Sequence, residues 1–156
     1  MILAIDPGNI DSAYVLMSNT NDIIRFGKIK NEDLNVAINE MYEVHKFEEV
    51  VIERIASYGM SVGAEIFETC EWVGRFMETA SRLSGVNVTL TYRKEVKMNI
   101  CGTTKAKDSN IIQALKDRFG VVGTKKNKGW FYGFAADVWQ SYALGVTHND
   151  KRVDKV

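Results

Sequence analysis

Short apolar runs dominate the first thirty residues of the chain. The continuous apolar run of residues 2–6 is typical of a buried strand. The segment Asp6-Pro7-Gly8 ends it, because proline fixes φ and has no N–H to donate. Residues 13–18 and 22–30 are predicted as two further strands, joined by a turn at Asn19-Thr20-Asn21. The chain therefore begins with three predicted strands.

The middle of the chain alternates between helical and strand-like patterns. One side of a first predicted helix carries residues at helical spacing: Leu34, Ile38, Met41 and His45. Residues 49–53 are predicted as a buried strand that ends in a carboxylate, residues 61–83 as the clearest helix, and residues 86–92 as a fifth strand. The apolar stripe of the clearest helix contains Val62, Ile66, Cys70, Val73, Met77 and Ala80.

Two more helices complete the pattern. One is capped by Asp108 or Ser109 and runs through Phe119, with Gly120 as its stop. The other covers residues 134–146, after a loop rich in glycine and lysine. Three strands followed by alternating helices and strands predict an α/β protein with a five-stranded mixed sheet and helices packed on it. RNase H-like folds have this order of elements.

The composition is that of a folded protein. The 156 residues, 46% hydrophobic and 26% charged, exclude a disordered chain and fit one domain over residues 1–156. No apolar run is long enough for a membrane span, and the N-terminus lacks the basic start of a signal peptide, so the expected location is the cytoplasm. Two cysteines, Cys70 and Cys101, make neither a zinc site nor a disulfide framework.

Charge is distributed unevenly along the chain, although the net charge is zero. Residues 1–92 carry 7 basic and 14 acidic side chains, whereas residues 93–128 carry 10 basic and 3 acidic ones. The basic block can serve as a contact surface for a phosphate backbone. A solvated surface explains the same excess, and charge alone leaves both interpretations open.

Three carboxylates end or interrupt apolar segments: Asp6, Glu53 and Asp137. An ionised carboxylate is costly to bury without a partner. If the first and fourth strands are parallel neighbours, Asp6 and Glu53 emerge at the same edge of the sheet, where open α/β sheets hold their sites. Converging carboxylates without a histidine or cysteine cluster are suited to a hard cation such as Mg²⁺ or Mn²⁺.

Each of these acids also has a structural explanation. Asp6 can be a turn residue of the Asp-Pro-Gly segment, and Glu53 can pair with Arg54 or be exposed. Asp137 can interact with the dipole at a helix N-terminus. Three further acids are interpreted as a turn, a cap and a surface residue, respectively: Asp11, Asp108 and Asp117.

Four segments of the chain together resemble successive blocks of the RuvC-like Holliday junction resolvases, in the order of that family. They are AIDPG at 4–8, VVIERIASYGMSVGAEIF at 50–67, YRKEVKMNICGTTKAKDSNI at 92–111 and AADVWQSYALGVTH at 135–148. The loop GTKKNKGWFYGFAADVW suggests the phage-type branch. The resemblance implies an RNase H-like fold, a homodimer, and cleavage of four-way junctions and other branched DNA with one or two Mg²⁺ or Mn²⁺ ions.

The resemblance also implies roles for individual residues. The family's catalytic, metal-binding acids fall on Asp6, Glu53 and Asp137. Its basic positions near the DNA fall on Lys97 and Lys107, with Lys105 close by.

Three further inferences concern aromatic side chains. Tyr58 lies in the loop that pries junctions open in this family and could stack on an unpaired base, or it could be a partly buried loop residue. Phe134 stands where cellular members carry a further metal-side residue, and a helix over 134–146 would place it on the same face as Asp137. Gln140 and Ser141 are then the substitutes within reach. Four other aromatic residues are expected in the core: Trp72, Phe76, Trp139 and Tyr142.

Other functions remain open at this level. An RNase H-like nuclease could act on RNA–DNA hybrids or structured RNA instead. A non-catalytic module that binds branched DNA is conceivable because of Phe134, and an actin-like nucleotide-binding lobe also begins with a strand that ends in aspartate. The stripe on helix 61–83 could form either the dimer interface or the core of one subunit.

Overall fold

The computed structural model describes residues 1–154 and has a five-stranded mixed sheet in the order β3-β2-β1-β4-β5. The strands are β1 (Ile2–Asp6), β2 (Asp11–Met17), β3 (Ile23–Lys30), β4 (Glu49–Arg54) and β5 (Asn87–Tyr92). The predicted α/β class and the five-stranded mixed sheet are thus confirmed.

Strand direction determines which residues meet at the edge of the sheet. Strands β1 and β2 pair antiparallel, as do β2 and β3, whereas β1, β4 and β5 run parallel. The carboxyl ends of the three parallel strands therefore lie at one edge. Ile5 pairs with Ile52, so Asp6 and Glu53, one residue further along, become neighbours there.

Helices cover both faces of the sheet: α1 (Asn31–His45), α2 (Ala64–Ser81), α3 (Arg93–Cys101), α4 (Asp108–Phe119) and α5 (Val138–Asp154). Because side chains alternate along β1, Leu3 and Ile5 pack with α1 and α2, and Ile2 and Ala4 pack with the other three helices. Gly145 lets α5 lie close to the sheet, since a Cβ there would overlap the Met17 sulfur. Within residues 1–154, no helix is both long and apolar enough to cross a membrane.

The sequence pattern missed one helix and gave wrong bounds for another. Helix α3 lies in a segment that the sequence pattern left without an element, because it has few apolar residues and only Val96 is buried. The last helix begins at Val138 rather than 134 and extends to Asp154 rather than 146. Residues before it form turns, and Ala136 has a left-handed φ of 47°, which a continuous helix does not allow.

The apolar stripe predicted on α2 is buried only in its C-terminal half. The buried side chains of the helix are Thr69, Val73, Phe76 and Ala80. Ile66 and Cys70 of the predicted stripe are exposed instead. Of the four aromatic residues expected in the core, three are buried, namely Phe76, Trp139 and Tyr142, and Trp72 is half-buried.

Candidate active site

Asp6 and Glu53 lie side by side at the carboxyl edge of the sheet. Asp6 ends β1 and is 9% exposed, so it belongs to a buried strand and not only to a turn. The side chain of Glu53, near the end of β4, is 14% exposed and close enough to hydrogen-bond the Asp6 carboxyl. Two carboxyls are thus held together in a largely water-excluded position.

The loop after Asp6 is fixed by buried polar groups. The Gly8 N–H donates to Ser12 Oγ at 3.0 Å, and Asn31 Nδ2 donates to the Gly8 carbonyl at 2.9 Å. Ser12 and Asn31 are themselves buried and hydrogen-bonded to one another. A Cβ at position 8 would overlap the Asp11 carbonyl, so only glycine fits. This bracing fixes the carboxyl end of β1 and with it the position of Asp6.

Arg93 is the cation that faces this carboxylate pair. It is the first residue of α3 and directly follows β5, so it emerges at the same edge. Its Nε donates to Glu53 Oε1 at 3.0 Å, and its Nη2 lies 3.9 Å from Asp6 Oδ1. Glu53 therefore pairs with Arg93 and not with Arg54, whose guanidinium lies 5.6 Å from the Tyr92 ring centroid.

The electrostatics of the pair follow from burial and like charge. Burial raises the pKa of Asp6 well above its ordinary value, the Glu53 carboxyl raises it further, and Arg93 opposes both. Burial lowers the pKa of Arg93, but Glu53, then Asp6 and Asp108, outweigh it and raise the pKa above its ordinary value. Arg93 is thus a permanent cation at a site with excess negative charge.

Two more side chains reach the site through Arg93. Asp108 Oδ1 accepts from Arg93 Nη1 at 2.8 Å, although the sequence suggested a helix cap. The N-cap of α4 is instead Lys107, whose backbone N–H donates to the Asn110 side chain. Gln140, on the first turn of α5, is 6% exposed and its Oε1 lies 3.4 Å from Arg93 Nη1. Gln140, one of the two suggested substitute ligands, thus contacts the guanidinium that also binds Glu53 and Asp108.

Asp137 is paired with a lysine, although its charge adds to the burial and the Glu53 carboxyl that raise the pKa of Asp6. It precedes α5, and its Oδ2 accepts from Lys28 Nζ of β3 at 2.7 Å. That hydrogen bond raises the pKa of Lys28, with Asp11 and Asp6 adding to it. Among residues 1–154, no three acidic, histidine or cysteine side chains are arranged as a metal site. The structure therefore brings together two of the three acids that the sequence singled out.

Phe134 does not face the carboxylates as the sequence led us to expect. It precedes α5, so it shares no helix face with Asp137, and it is 8% exposed in an aromatic cluster. Its ring centroid lies 4.7 Å from that of Phe26. The cluster also includes Phe131, Trp139 and Tyr142. The other suggested substitute, Ser141, is fully buried and its hydroxyl donates to the Asp137 backbone carbonyl.

The predicted DNA-contacting residues lie around α3 and α4. Lys97 is half-buried on α3, whereas Lys105 and Lys107 are exposed in the connection to α4. Tyr58 is 57% exposed in the loop after β4, which excludes a core role. Its φ is 50°, and Lys94 Nζ lies 5.5 Å from its ring centroid. The aromatic ring is thus displayed to solvent beside a lysine.

The donor set suits a hard divalent cation. The groups at the edge are carboxylate oxygens of Asp6 and Glu53 and the amide oxygen of Gln140, and such ions prefer oxygen ligands. An ion would also reduce the repulsion that raises the pKa of Asp6. Arg93 now supplies that positive charge, so an ion at Glu53 competes with the guanidinium.

Arg93 is the main residue that sequence reasoning missed. Its partners Glu53, Asp108 and Gln140 are 40, 15 and 47 residues away, so no local pattern connects them. One signal was present: Arg93 directly follows the fifth predicted strand. A parallel fifth strand places that position at the same edge as Asp6 and Glu53.

Comparison with solved structures identifies the fold. RuvC of Thermus thermophilus in complex with Holliday junction substrate aligns with a TM-score of 0.73 and 14% identity, covering 97% of this chain and 94% of that chain. The yeast mitochondrial Holliday junction resolvase Ydc2 gives 0.63 and 13%, covering 99% and 80%. The Fowlpox virus resolvase with Holliday junction DNA gives 0.57 and 13%, covering 97% and 99%.

No protein-family model and no curated protein matches the sequence. The structural likeness extends over nearly the whole chain at low identity, so it establishes the fold. The chain has the RNase H-like fold of RuvC-type resolvases, which confirms the resemblance seen in the sequence at the level of structure.

Proposed function

We propose that this protein is a divalent-metal-dependent endonuclease that cleaves four-way DNA junctions and other branched DNA. The observation that carries the proposal is the buried Asp6–Glu53 pair at the carboxyl edge of a RuvC-type sheet. Burying two carboxyls together opposes folding, and Arg93 offsets only part of this cost, because the pKa of Asp6 stays raised by burial and by Glu53. A binding site for a catalytic metal ion explains why the acids occupy this position.

The comparisons support the choice of substrate. Two of the solved structures that share the fold, RuvC and the Fowlpox virus resolvase, are complexes with Holliday junctions. The alignments cover 97% of this chain in both cases.

Asp6 and Glu53 would hold Mg²⁺ or Mn²⁺ through their carboxylate oxygens. A bound ion of this kind lowers the pKa of water and stabilises the in-line displacement at phosphorus. Asp137 would join these ligands after leaving Lys28, and Arg93 would leave Glu53 while keeping its hydrogen bond to Asp108. The burial of Asp6 and Glu53 keeps bulk water from the carboxylates and fixes their orientation.

Lysines and one tyrosine would bind the DNA. Lys97, Lys105 and Lys107 lie on α3 and before α4, close in sequence to Arg93 and Asp108, so their ammonium groups can neutralise phosphates near the acids. Tyr58 follows β4, the strand of Glu53, and its exposed ring can stack on a base unpaired at the junction.

A homodimer would match the two-fold symmetry of a four-way junction. Helix α2 supports this proposal, because its N-terminal half leaves apolar side chains uncovered: Ile66 is 36% exposed, Phe67 is 59% exposed and Cys70 is exposed. A second copy of the chain can cover this surface. Sedimentation analysis is expected to give a dimer that Phe67→Glu weakens.

A cleavage panel tests the proposed function. Labelled four-way junctions, forks, linear duplexes and RNA–DNA hybrids are incubated with the protein, with Mg²⁺ or with chelator, and resolved on denaturing gels. We expect paired nicks in the four-way junction with Mg²⁺ only. Cleavage confined to the hybrid would indicate a ribonuclease, and junction binding without nicking under any metal would indicate a non-catalytic module.

A further inference from the structure

A basic hairpin lies between α4 and α5, outside the candidate active site. Gly123 and Lys128 form an antiparallel bridge, and the Gly129 N–H donates to the Val122 carbonyl at 3.0 Å. At the tip, the Thr124 N–H donates to the Asn127 carbonyl at 2.9 Å. We call residues 121–129 the basic hairpin. Its backbone hydrogen bonds give the segment a defined shape.

The base of the basic hairpin is anchored in the protein core. Trp130 stacks on Phe119 with ring centroids 5.6 Å apart, and its Nε1 donates to the Tyr142 hydroxyl at 3.2 Å. The next residue, Phe131, is fully buried. Two glycines make the turn possible: a Cβ at Gly123 would overlap the Asn127 carbonyl, and one at Gly129 the Val121 carbonyl. The base of the hairpin is therefore fixed by packing and hydrogen bonding to the core.

The basic hairpin concentrates positive charge. Lys125, Lys126 and Lys128 are exposed, and none forms an ion pair with a carboxylate among residues 1–154. The sequence has no acidic residue between Asp117 and Asp137. Lys125 and Lys126 are adjacent and repel one another, which opposes folding, whereas Lys128 Nζ lies 5.1 Å from the Tyr132 ring centroid. The charge of Lys125 and Lys126 therefore complements an anionic partner rather than stabilising this chain.

The basic hairpin is also connected to the candidate active site. Residues 130–136 lead from it to Asp137, and along the way Gly133 packs against the Phe26 ring of β3. Strand β3 is one edge of the sheet, whereas β5, at the other edge, leads into α3 and α4. Residues 130–136 thus link the basic hairpin to Asp137 on the β3 side of the sheet, whereas Lys97, Lys105 and Lys107 follow β5.

We propose that the basic hairpin binds the phosphate backbone of a duplex DNA arm, as a second contact separate from Lys97, Lys105 and Lys107. This inference rests on the proposed function, because the arm belongs to the branched DNA that the active site cleaves. Exposed lysines on a rigid turn fit a regular phosphate backbone and carry no information about base sequence.

The test is the salt dependence of DNA binding by the full chain, measured by fluorescence anisotropy on a labelled four-way junction in chelator. Lys125→Gln combined with Lys126→Gln removes two exposed charges. We expect affinity to fall roughly tenfold and the slope of log K against log salt to decrease by about 2. Lys125→Arg with Lys126→Arg should retain the wild-type slope, because the charge is kept.

The matched control is Lys46→Gln with Arg82→Gln, which removes the same amount of charge. Both residues lie just before a strand, β4 and β5 respectively, and therefore at the end of the strands opposite the acids. The control should bind like wild type. If wild type binds the junction and the hairpin variant keeps its affinity and slope, the hairpin contact is refuted while the proposed function stands. If wild type binds no DNA, the proposed function and the hairpin contact are both refuted.

Discussion

Replacing Arg93 with glutamine removes the positive charge that now faces Asp6 and Glu53. The Arg93–Glu53 contact at 3.0 Å corresponds to about 5 kcal/mol of attraction at an effective dielectric of about 20. Desolvation of partly buried charges offsets more than half of it. We therefore expect Arg93→Gln to lower the free energy of unfolding of the metal-free protein by about 2 kcal/mol, or about 4–8 °C in Tm.

This loss of stability should depend on pH. The pKa of Asp6 is raised by burial and then by Glu53, so Asp6 stabilises the fold at low pH and opposes it as pH rises through the raised value. Arg93 reduces that opposition once Asp6 ionises. The difference between wild type and Arg93→Gln should thus be smaller near pH 4 than near pH 8, as measured by urea denaturation.

Divalent metal should restore stability to the Arg93→Gln variant. Because Arg93 competes with an ion for Glu53, the variant should gain more Tm from Mg²⁺ or Mn²⁺ than wild type. A tenfold stronger affinity would add about 1.4 kcal/mol at saturating metal. The control is Arg82→Gln, whose exposed pair with Glu78 is worth less than about 1 kcal/mol. If Arg93→Gln matched this control in stability and in its response to metal, Arg93 would not be the counterion of the acids.

Three further substitutions test neighbouring parts of the structure by thermal and chemical denaturation. Phe134→Asp should lower the free energy of unfolding by about 4 kcal/mol, because it places a charge in the aromatic cluster. It should not enlarge the rise in Tm caused by metal. A larger rise would place Phe134 at the metal. Lys28→Ala should release Asp137 and enlarge that rise, and an unchanged rise would mean that Asp137 is not a ligand. Asp150→Asn should cost about 1 kcal/mol near neutral pH and almost nothing at about pH 2. The hydrogen bond from Arg118 lowers the pKa of Asp150 more than any other contact does, so the stability that ionised Asp150 contributes is lost as pH falls. A difference between the two proteins that does not change with pH would contradict this.

The sheet could be predicted from the sequence because its signals are local. The apolar run of β1 and the buried strand that ends near Glu53 identify the two central strands, and parallel pairing then places Asp6 beside Glu53. Helix α3 could not be recognised, because it buries only Val96 and its pattern is largely polar. The start of α5 was misplaced because Ala135 and Ala136 favour a helix, whereas the backbone takes a left-handed φ at Ala136.

The charges at the site depend on contacts between distant parts of the chain. Lys28 and Asp137 are 109 residues apart, and Arg93 is 40 residues from Glu53. Neither pair follows from helical or strand periodicity. Sequence could therefore identify which acids are unusual, but the cations that hold them became visible only in three dimensions.

Cleavage of a four-way junction by Asp6→Asn and Glu53→Gln tests the central claim most directly. The control is Asp117→Asn, which changes an exposed acid on α4. Wild type, the two variants and the control are each incubated with labelled junction and Mg²⁺, and junction binding is measured in parallel. We expect both variants to bind as tightly as wild type or more tightly, because a negative charge near phosphate is removed, and to cleave at least about 100-fold more slowly. Cleavage within about threefold of wild type by either variant would contradict the assignment of the Asp6–Glu53 pair as the catalytic site.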